Sequence, residues 1–131
     1  MTRKQEVDYT LYLVTDSTPA ILGANGTEQE TIEDKLCATV EAALRGGATC
    51  VQFRDKEGDT GALVRTARRL HAVTRRFGVP LLVNDRVDVA LAVGCEGIHI
   101  GQDDLGMFWR FFPFLFYFPR AFGCIDLRGC E

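Results

Sequence analysis

No Cys-x-x-Cys pair, no Gly-x-Gly-x-x-Gly stretch and no P-loop occurs in the 131-residue sequence. Their absence argues against a disulfide framework or a zinc site, and it removes the two commonest backbone cradles for phosphate. The five cysteines, Cys37, Cys50, Cys95, Cys124 and Cys130, are odd in number and widely spaced, and they read as small buried hydrophobes. A strong charge of either sign is also missing. Fifteen basic against eighteen acidic residues leave a net charge of -3, which offers no broad attraction to nucleic acid or to an acidic membrane. Any anion site must therefore be local. Residues Met1 to Thr10 lack the apolar core of a signal peptide and the acid-poor character of a transit peptide, so the cytoplasm is the expected compartment. Histidine is scarce, with only His71 and His99, and no Ser or Cys constellation surrounds either. No catalytic nucleophile or acid–base group is assigned on that basis. His71 is expected on a helix surface, and His99, inside an apolar strand, reads as a satisfied core histidine.

What is present is the ordinary composition of a soluble globular chain, 47% apolar and 25% charged, at the length of one domain. That composition changes after Gly106. Met107 to Phe122 holds seven of the nine phenylalanines, the only tryptophan (Trp109) and Tyr117. Phe111 to Pro119 shows neither a period of 2 nor one of 3.6, and Pro113 and Pro119 would each interrupt a helix. A membrane span needs about 20 apolar residues, whereas this run is shorter and is bracketed by Arg110 and Arg120. No membrane insertion is expected. Residues 107–131 read as an aberrant, aromatic-rich tail on a domain of residues 1–106, of the kind produced by a retained intron or a shifted frame.

Residues 9 to 105 alternate between strand and helix patterns. Leu11-Tyr-Leu-Val-Thr-Asp16 is a short β-prone run that ends in a polar residue. Ser17 to Glu30 is a connecting loop. Thr31 can cap a helix with Ile32, Leu36, Val40 and Ala43/Leu44 at helical spacing, ended by Gly46-Gly47. A second strand spans Cys50 to Arg54. A second helix runs from about Thr60 to Phe77, with Leu63, Ala67, Leu70 and Phe77 on one stripe. Its arginines, Arg65, Arg68, Arg69, Arg75 and Arg76, lack interleaved aromatics and read as a solvated surface, so no nucleic-acid partner is implied. Leu81 to Asp85 is a third strand, Val87 to Val93 a short helix and Gly97 to Gly101 a fourth strand. Strand, helix, strand in this order implies a parallel sheet with right-handed crossovers.

Ligands of a parallel sheet gather at the carboxyl ends of its strands. Alternation along the second strand would carry Gln52, Arg54 and Lys56 to one face and Val51 and Phe53 to the other. A guanidinium fork, an ammonium and a carboxamide together suit a heteroaromatic phosphate ester. Pairing of Arg54 and Lys56 with Asp55, Glu57 and Asp59 on a wet loop fits the same spacing. Asn84-Asp85-Arg86 and Gly101-Gln-Asp-Asp104 end neighbouring strands, so their carboxylates could share a magnesium ion with a pyrophosphate. Capping of the helices that follow explains those acids equally well.

Four stretches taken together resemble the thiamine-phosphate synthase (thiamine-phosphate diphosphorylase) family. They are Leu11-Tyr-Leu-Val-Thr-Asp16, Gly46-Gly-Ala-Thr-Cys-Val-Gln-Phe-Arg-Asp-Lys56, Val79-Pro-Leu-Leu-Val-Asn-Asp-Arg-Val-Asp88 and Gly97-Ile-His-Ile-Gly-Gln-Asp-Asp104. Asp16-Ser-Thr-Pro-Ala20 and Asp59-Thr-Gly-Ala-Leu63 are similar to the fungal bifunctional form, whose hydroxyethylthiazole kinase domain has no counterpart here. The resemblance implies a TIM (β/α)8 barrel of α/β class. It implies a reaction that joins hydroxymethylpyrimidine diphosphate to thiazole phosphate with release of pyrophosphate. By the same resemblance Gln52 contacts the pyrimidine, Arg54, Lys56 and Asn84 contact the pyrophosphate, and Asp85 and Asp104 hold magnesium. Asp103 stands where the family also accepts Glu and is not assigned. A thiazole tautomerase of the same fold is the second enzymatic reading, although it has no need of this pyrophosphate and magnesium set.

A (β/α)8 barrel needs about 200 to 250 residues, and only about its first four βα units precede Gly106. Half a barrel leaves two open sheet edges, and the second-substrate stretches of the family are missing. The alternative to an enzyme is a non-catalytic fragment that aggregates through its edges and Phe108 to Phe122, or binds a partner through that apolar tail.

Overall fold

The computed structural model describes residues 7–17 and 31–101, together with the backbone of Cys124–Asp126. The loop expected over residues 17–30 and the aromatic run at 107–122 therefore lie almost wholly outside the described residues. In chain order the elements are β1 (Tyr12–Val14), α1 (Ile32–Arg45), β2 (Cys50–Phe53), α2 (Thr60–Arg76), β3 (Leu81–Asn84), α3 (Val87–Val93), β4 (Gly97–His99) and β5 (Cys124–Asp126). The strands lie in the order β1-β2-β3-β4-β5, and β1 to β4 are mutually parallel. This is the α/β arrangement that the alternating pattern predicts.

One departure concerns the far edge. β4 is not an open edge, because β5 pairs with it antiparallel, Ile98 opposite Ile125. The open edges among the described strands are β1 and β5, each three residues long. The segment after the aromatic run thus contributes a strand that the sequence reading does not anticipate.

Each helix begins where local chemistry supplies an acceptor. Thr31 Oγ1 accepts from the Asp34 amide at 3.1 Å while the Asp34 carboxylate accepts from the Thr31 amide at 3.2 Å, a reciprocal capping box at the start of α1. Asp59 caps α2 by accepting from the Ala62 amide at 2.8 Å. At the other end of α3, Gly94 adopts a φ of 71°, a conformation that glycine holds without a Cβ clash. The apolar stripes then meet one face of the sheet. Leu36, Val40 and Leu44 from α1, Leu63, Ala67 and Leu70 from α2, and Val89 and Ala90 from α3 enclose Val51, Phe53, Leu81, Val83 and Ile98. Ile32 and Phe77, both expected on the buried stripes, stand exposed at helix ends, and Phe77 is the C-cap of α2.

The arginines of α2 mostly tie helices together. Arg69 bridges to Glu33 at 3.2 Å and to Asp34, and Arg76 shares Glu41 with Arg45. Those contacts hold the Asp34 carboxyl down at about 2, first through Arg69 and then through Thr31. His71 departs from its expected surface position. It is buried, and its Nε2 lies 3.0 Å from Glu96 Oε1, while Glu96 Oε2 accepts from the Leu81 amide at 2.8 Å. A polar clamp therefore joins α2 to the amino ends of β3 and β4.

Candidate functional site

The candidate site is built at the carboxyl ends of β1, β2 and β3. Because Val51, Phe53, Val83 and Ile98 face the helices, alternation sends Gln52, Asn84 and His99 to the opposite face. Gln52 lies between Val14 and Leu82 in register, is only 3% exposed, and donates through Nε2 to the Tyr12 hydroxyl. A buried carboxamide fixed on one side can present its remaining polar atoms in a defined direction. Asn84 stands beside His99 in register, and His99 is half-buried.

The second strand stops at Phe53, one residue before the expected end, so strand alternation carries Gln52 but not Arg54 or Lys56. Both cations leave the sheet in the turn that leads to α2. Arg54 is held there through its backbone, since its amide donates to Thr15 Oγ1 at 3.1 Å, while the Thr15 amide donates to the Gln52 carbonyl at 2.9 Å. Lys56 is exposed.

Two of the three loop acids are otherwise engaged. Asp55 Oδ1 accepts from the amides of Glu57 and Gly58 at 2.9 and 3.0 Å, closing the turn, and Asp59 caps α2. Among the described residues neither Arg54 nor Lys56 forms an ion pair. The alternative in which the loop acids neutralise these two cations is not what the structure shows. Arg86 behaves in the opposite way. Its guanidinium grips Asp88 through Nε at 2.9 Å and Nη2 at 2.6 Å, and Nη2 also donates to Thr60 Oγ1 at 2.7 Å. This fork holds the Asp88 carboxyl down at about 2 and raises Arg86 itself, so Arg86 serves the rim as a strut.

Asp85 follows β3 with a φ of 60°, the sole positive φ outside glycine among the described residues. The left-handed region costs a non-glycine residue about 1–2 kcal/mol, somewhat less for Asp than for most. Its amide donates to the His99 carbonyl at 2.8 Å, and its Oδ2 accepts from Asn84 Nδ2 at 2.8 Å. The N-cap of α3 is Arg86, without a side-chain capping bond, so Asp85 does not serve as a helix cap. Asp104 and Asp103 lie outside the described residues.

Among the described residues no group of three or more His, Cys, Asp and Glu converges as a metal cage would require. One oriented carboxylate suits a hard cation that takes one or two carboxylates and completes its shell with water and phosphate oxygens. Burial pushes the Cys95 thiol up to about 11, which accords with an inert core residue, and also raises Cys37, which is only half-buried against the core and not buried as expected. No helix among the described residues is long and apolar enough to cross a membrane. Three of the residues that shape the site or its support, Tyr12, Thr15 and Glu96, were not singled out by sequence reasoning. Their partners lie 15 to 40 positions away in the chain, and no local period marks them.

Comparison with known proteins adds an independent view. The model of the family described as "Thiamine monophosphate synthase" matches residues 11–108. The "Thiamine biosynthetic bifunctional enzyme" of Saccharomyces cerevisiae is 44% identical over 102 residues, covering 78% of this chain and 17% of that protein. The "Thiamine-phosphate synthase" of Xanthobacter autotrophicus is 49% identical over 98 residues, covering 75% of this chain and 41% of its own length. A solved structure titled "Thiamine phosphate pyrophosphorylase", from Pyrococcus furiosus, superposes with a TM-score of 0.58 at 34% identity, over 72% of this chain and 40% of that one. The chain therefore spans less than half the length of these relatives.

Proposed function

The chain belongs to the thiamine monophosphate synthase family, and from that premise we propose that it carries the diphosphate half-site of a transferase of thiamine biosynthesis. The reaction joins hydroxymethylpyrimidine diphosphate to thiazole phosphate. The carbon–oxygen bond to the diphosphate breaks, pyrophosphate leaves with the bonding electrons, and the thiazole nitrogen captures the resulting pyrimidine-stabilised cation. Catalysis of that kind rests on stabilising the leaving group and positioning the partners.

The observation that carries the proposal is the asymmetry among the rim cations. Arg86 is committed to Asp88 and Thr60, whereas Arg54 and Lys56 stand beside the strand ends with no ion pair among the described residues. Such a pair can meet a diphosphate without first giving up a carboxylate. In this reading Gln52 contacts the pyrimidine edge, and Arg54, Lys56 and Asn84 contact the diphosphate. Asp85, with Asp104, would hold magnesium. The ion, when bound, offsets charge on the departing pyrophosphate. Residues 1–106 then form the N-terminal half of the family's barrel, and residues 107–131 are the part that departs from it.

The test is calorimetric titration of the 131-residue chain with inorganic pyrophosphate and magnesium. Saturable binding that Arg54→Ala weakens about tenfold or more is expected. Absence of saturable binding by the unaltered chain would overturn the proposal.

A further inference from the structure

The geometry points to Thr15 as a positioning residue of the diphosphate site, one whose hydroxyl fixes the backbone from which Arg54 reaches its anion. This inference rests on the reading of Arg54 given above. Ladder pairing between β2 and β3 runs from Val51 to Phe53 and stops there. Arg54 is thus the first residue beyond the sheet's own support, and its amide turns to Thr15 Oγ1 at 3.1 Å. The Thr15 amide in turn holds the Gln52 carbonyl at 2.9 Å, so one residue of the β1 end grips β2 on both sides of Phe53.

Two features make this grip effective. Thr15 is 5% exposed, so water competes poorly for its hydroxyl. Its β-branched side chain also has few rotamers, which keeps the oxygen in place. The Arg54 guanidinium, by contrast, has no ion pair among the described residues, so its position depends on where its Cα is held. A long side chain amplifies a small backbone displacement, and a misplacement of about 1 Å in a binding group is enough to lose a large factor in activity. Thr15→Val keeps the shape of the side chain and removes the acceptor. Thr15→Ser keeps the acceptor and removes only a methyl group.

Magnesium pyrophosphate titrations of the parent chain, Thr15→Val, Thr15→Ser, Arg54→Ala and the core variant Leu70→Ala separate the outcomes. Amide hydrogen exchange at Arg54 is followed in parallel. Thr15→Val should raise the dissociation constant about tenfold and speed exchange of the Arg54 amide selectively. Thr15→Ser should stay within about twofold of the parent in both. Leu70→Ala, destabilised yet remote from the site, should bind like the parent under conditions where it remains folded. Equal losses in Thr15→Val and Leu70→Ala would reduce Thr15 to a stabilising role and overturn the inference. A tenfold loss in Thr15→Ser would do the same, because the hydroxyl survives there, and this variant decides the matter if Thr15→Val fails to fold. Binding lost in Arg54→Ala and retained in Thr15→Val overturns this inference alone. Failure of the parent to bind removes the underlying reading and the inference with it.

Discussion

Replacement of Glu96 by alanine should be among the most damaging single changes outside the apolar core. The carboxylate serves two partners at once, His71 Nε2 at 3.0 Å and the Leu81 amide at 2.8 Å. Leu81 is fully buried in a central strand and His71 is buried on α2, so neither donor can turn to bulk water when the acceptor disappears. A buried donor left without an acceptor costs about 1–3 kcal/mol. Two groups are stranded, and partial rescue by water is open at the Glu96 side, which is 21% exposed. Glu96→Ala is therefore expected to lose about 2–4 kcal/mol. Glu96→Gln retains an oxygen for the Leu81 amide and offers its amide group to the imidazole, and its loss should stay near 1 kcal/mol by the same bookkeeping. Urea denaturation followed by circular dichroism measures both, with the slope of the transition checking that unfolding stays two-state. A Glu96→Ala chain within about 0.5 kcal/mol of the parent, the range of an inconsequential surface change, would refute the clamp.

Three further outcomes are expected. Asp88, held at about 2 against an ordinary carboxylate value of 3.8, releases its proton more readily when folded than when unfolded. Its contribution is therefore complete above about pH 4 and is lost as pH falls towards 2, so acid unfolding of Asp88→Asn should show a shallower decline across that window than the parent does. Asp34, drawn down by Arg69 and Thr31, acts in the same direction, and added salt should shrink both effects because the groups are exposed. Cys95, pushed up to about 11, is only about one part in a thousand thiolate at pH 8, so iodoacetamide should label it in urea and spare it in the folded chain. Asp85→Asn should weaken pyrophosphate binding in magnesium while leaving binding without magnesium nearly unchanged, and equal losses in both conditions would remove Asp85 from the metal site.

Much of the fold is legible in the sequence because its determinants are local. Thr31 caps α1 as the sequence suggests, with Asp34 completing the box in the structure, and α3 spans Val87–Val93 as expected, closed by Gly94 in the conformation that favours glycine. The errors share a cause. His71 falls on the stripe of Ala67, Leu70 and Thr74, all buried, but its polarity alone suggested solvent, and its partner Glu96 comes from a segment 25 residues away. Phe77 extends the apolar spacing of α2 in sequence, yet the helix ends at Arg76 and the ring emerges with the cap. At the candidate site the sequence names candidate residues but does not fix their arrangement. Alternation predicted a common face for Gln52, Arg54 and Lys56, whereas the strand stops at Phe53 and a hydroxyl from β1 takes over the support of Arg54. The commitment of Asp55 to a turn and of Arg86 to Asp88 depends on geometry that no spacing rule encodes.

The left-handed backbone at Asp85 bears on how this sequence can drift. Glycine would relax that conformation, and the codons for aspartate and glycine differ by a single base. One common mutation at position 85 therefore offers a gain in stability together with loss of the carboxylate. A lineage with no use for the carboxylate has an easy path away from it, and selection for stability points along that path. The aspartate at this position is thus a residue that backbone conformation alone would not choose, and what favours it there is its side chain, whose Oδ2 holds Asn84.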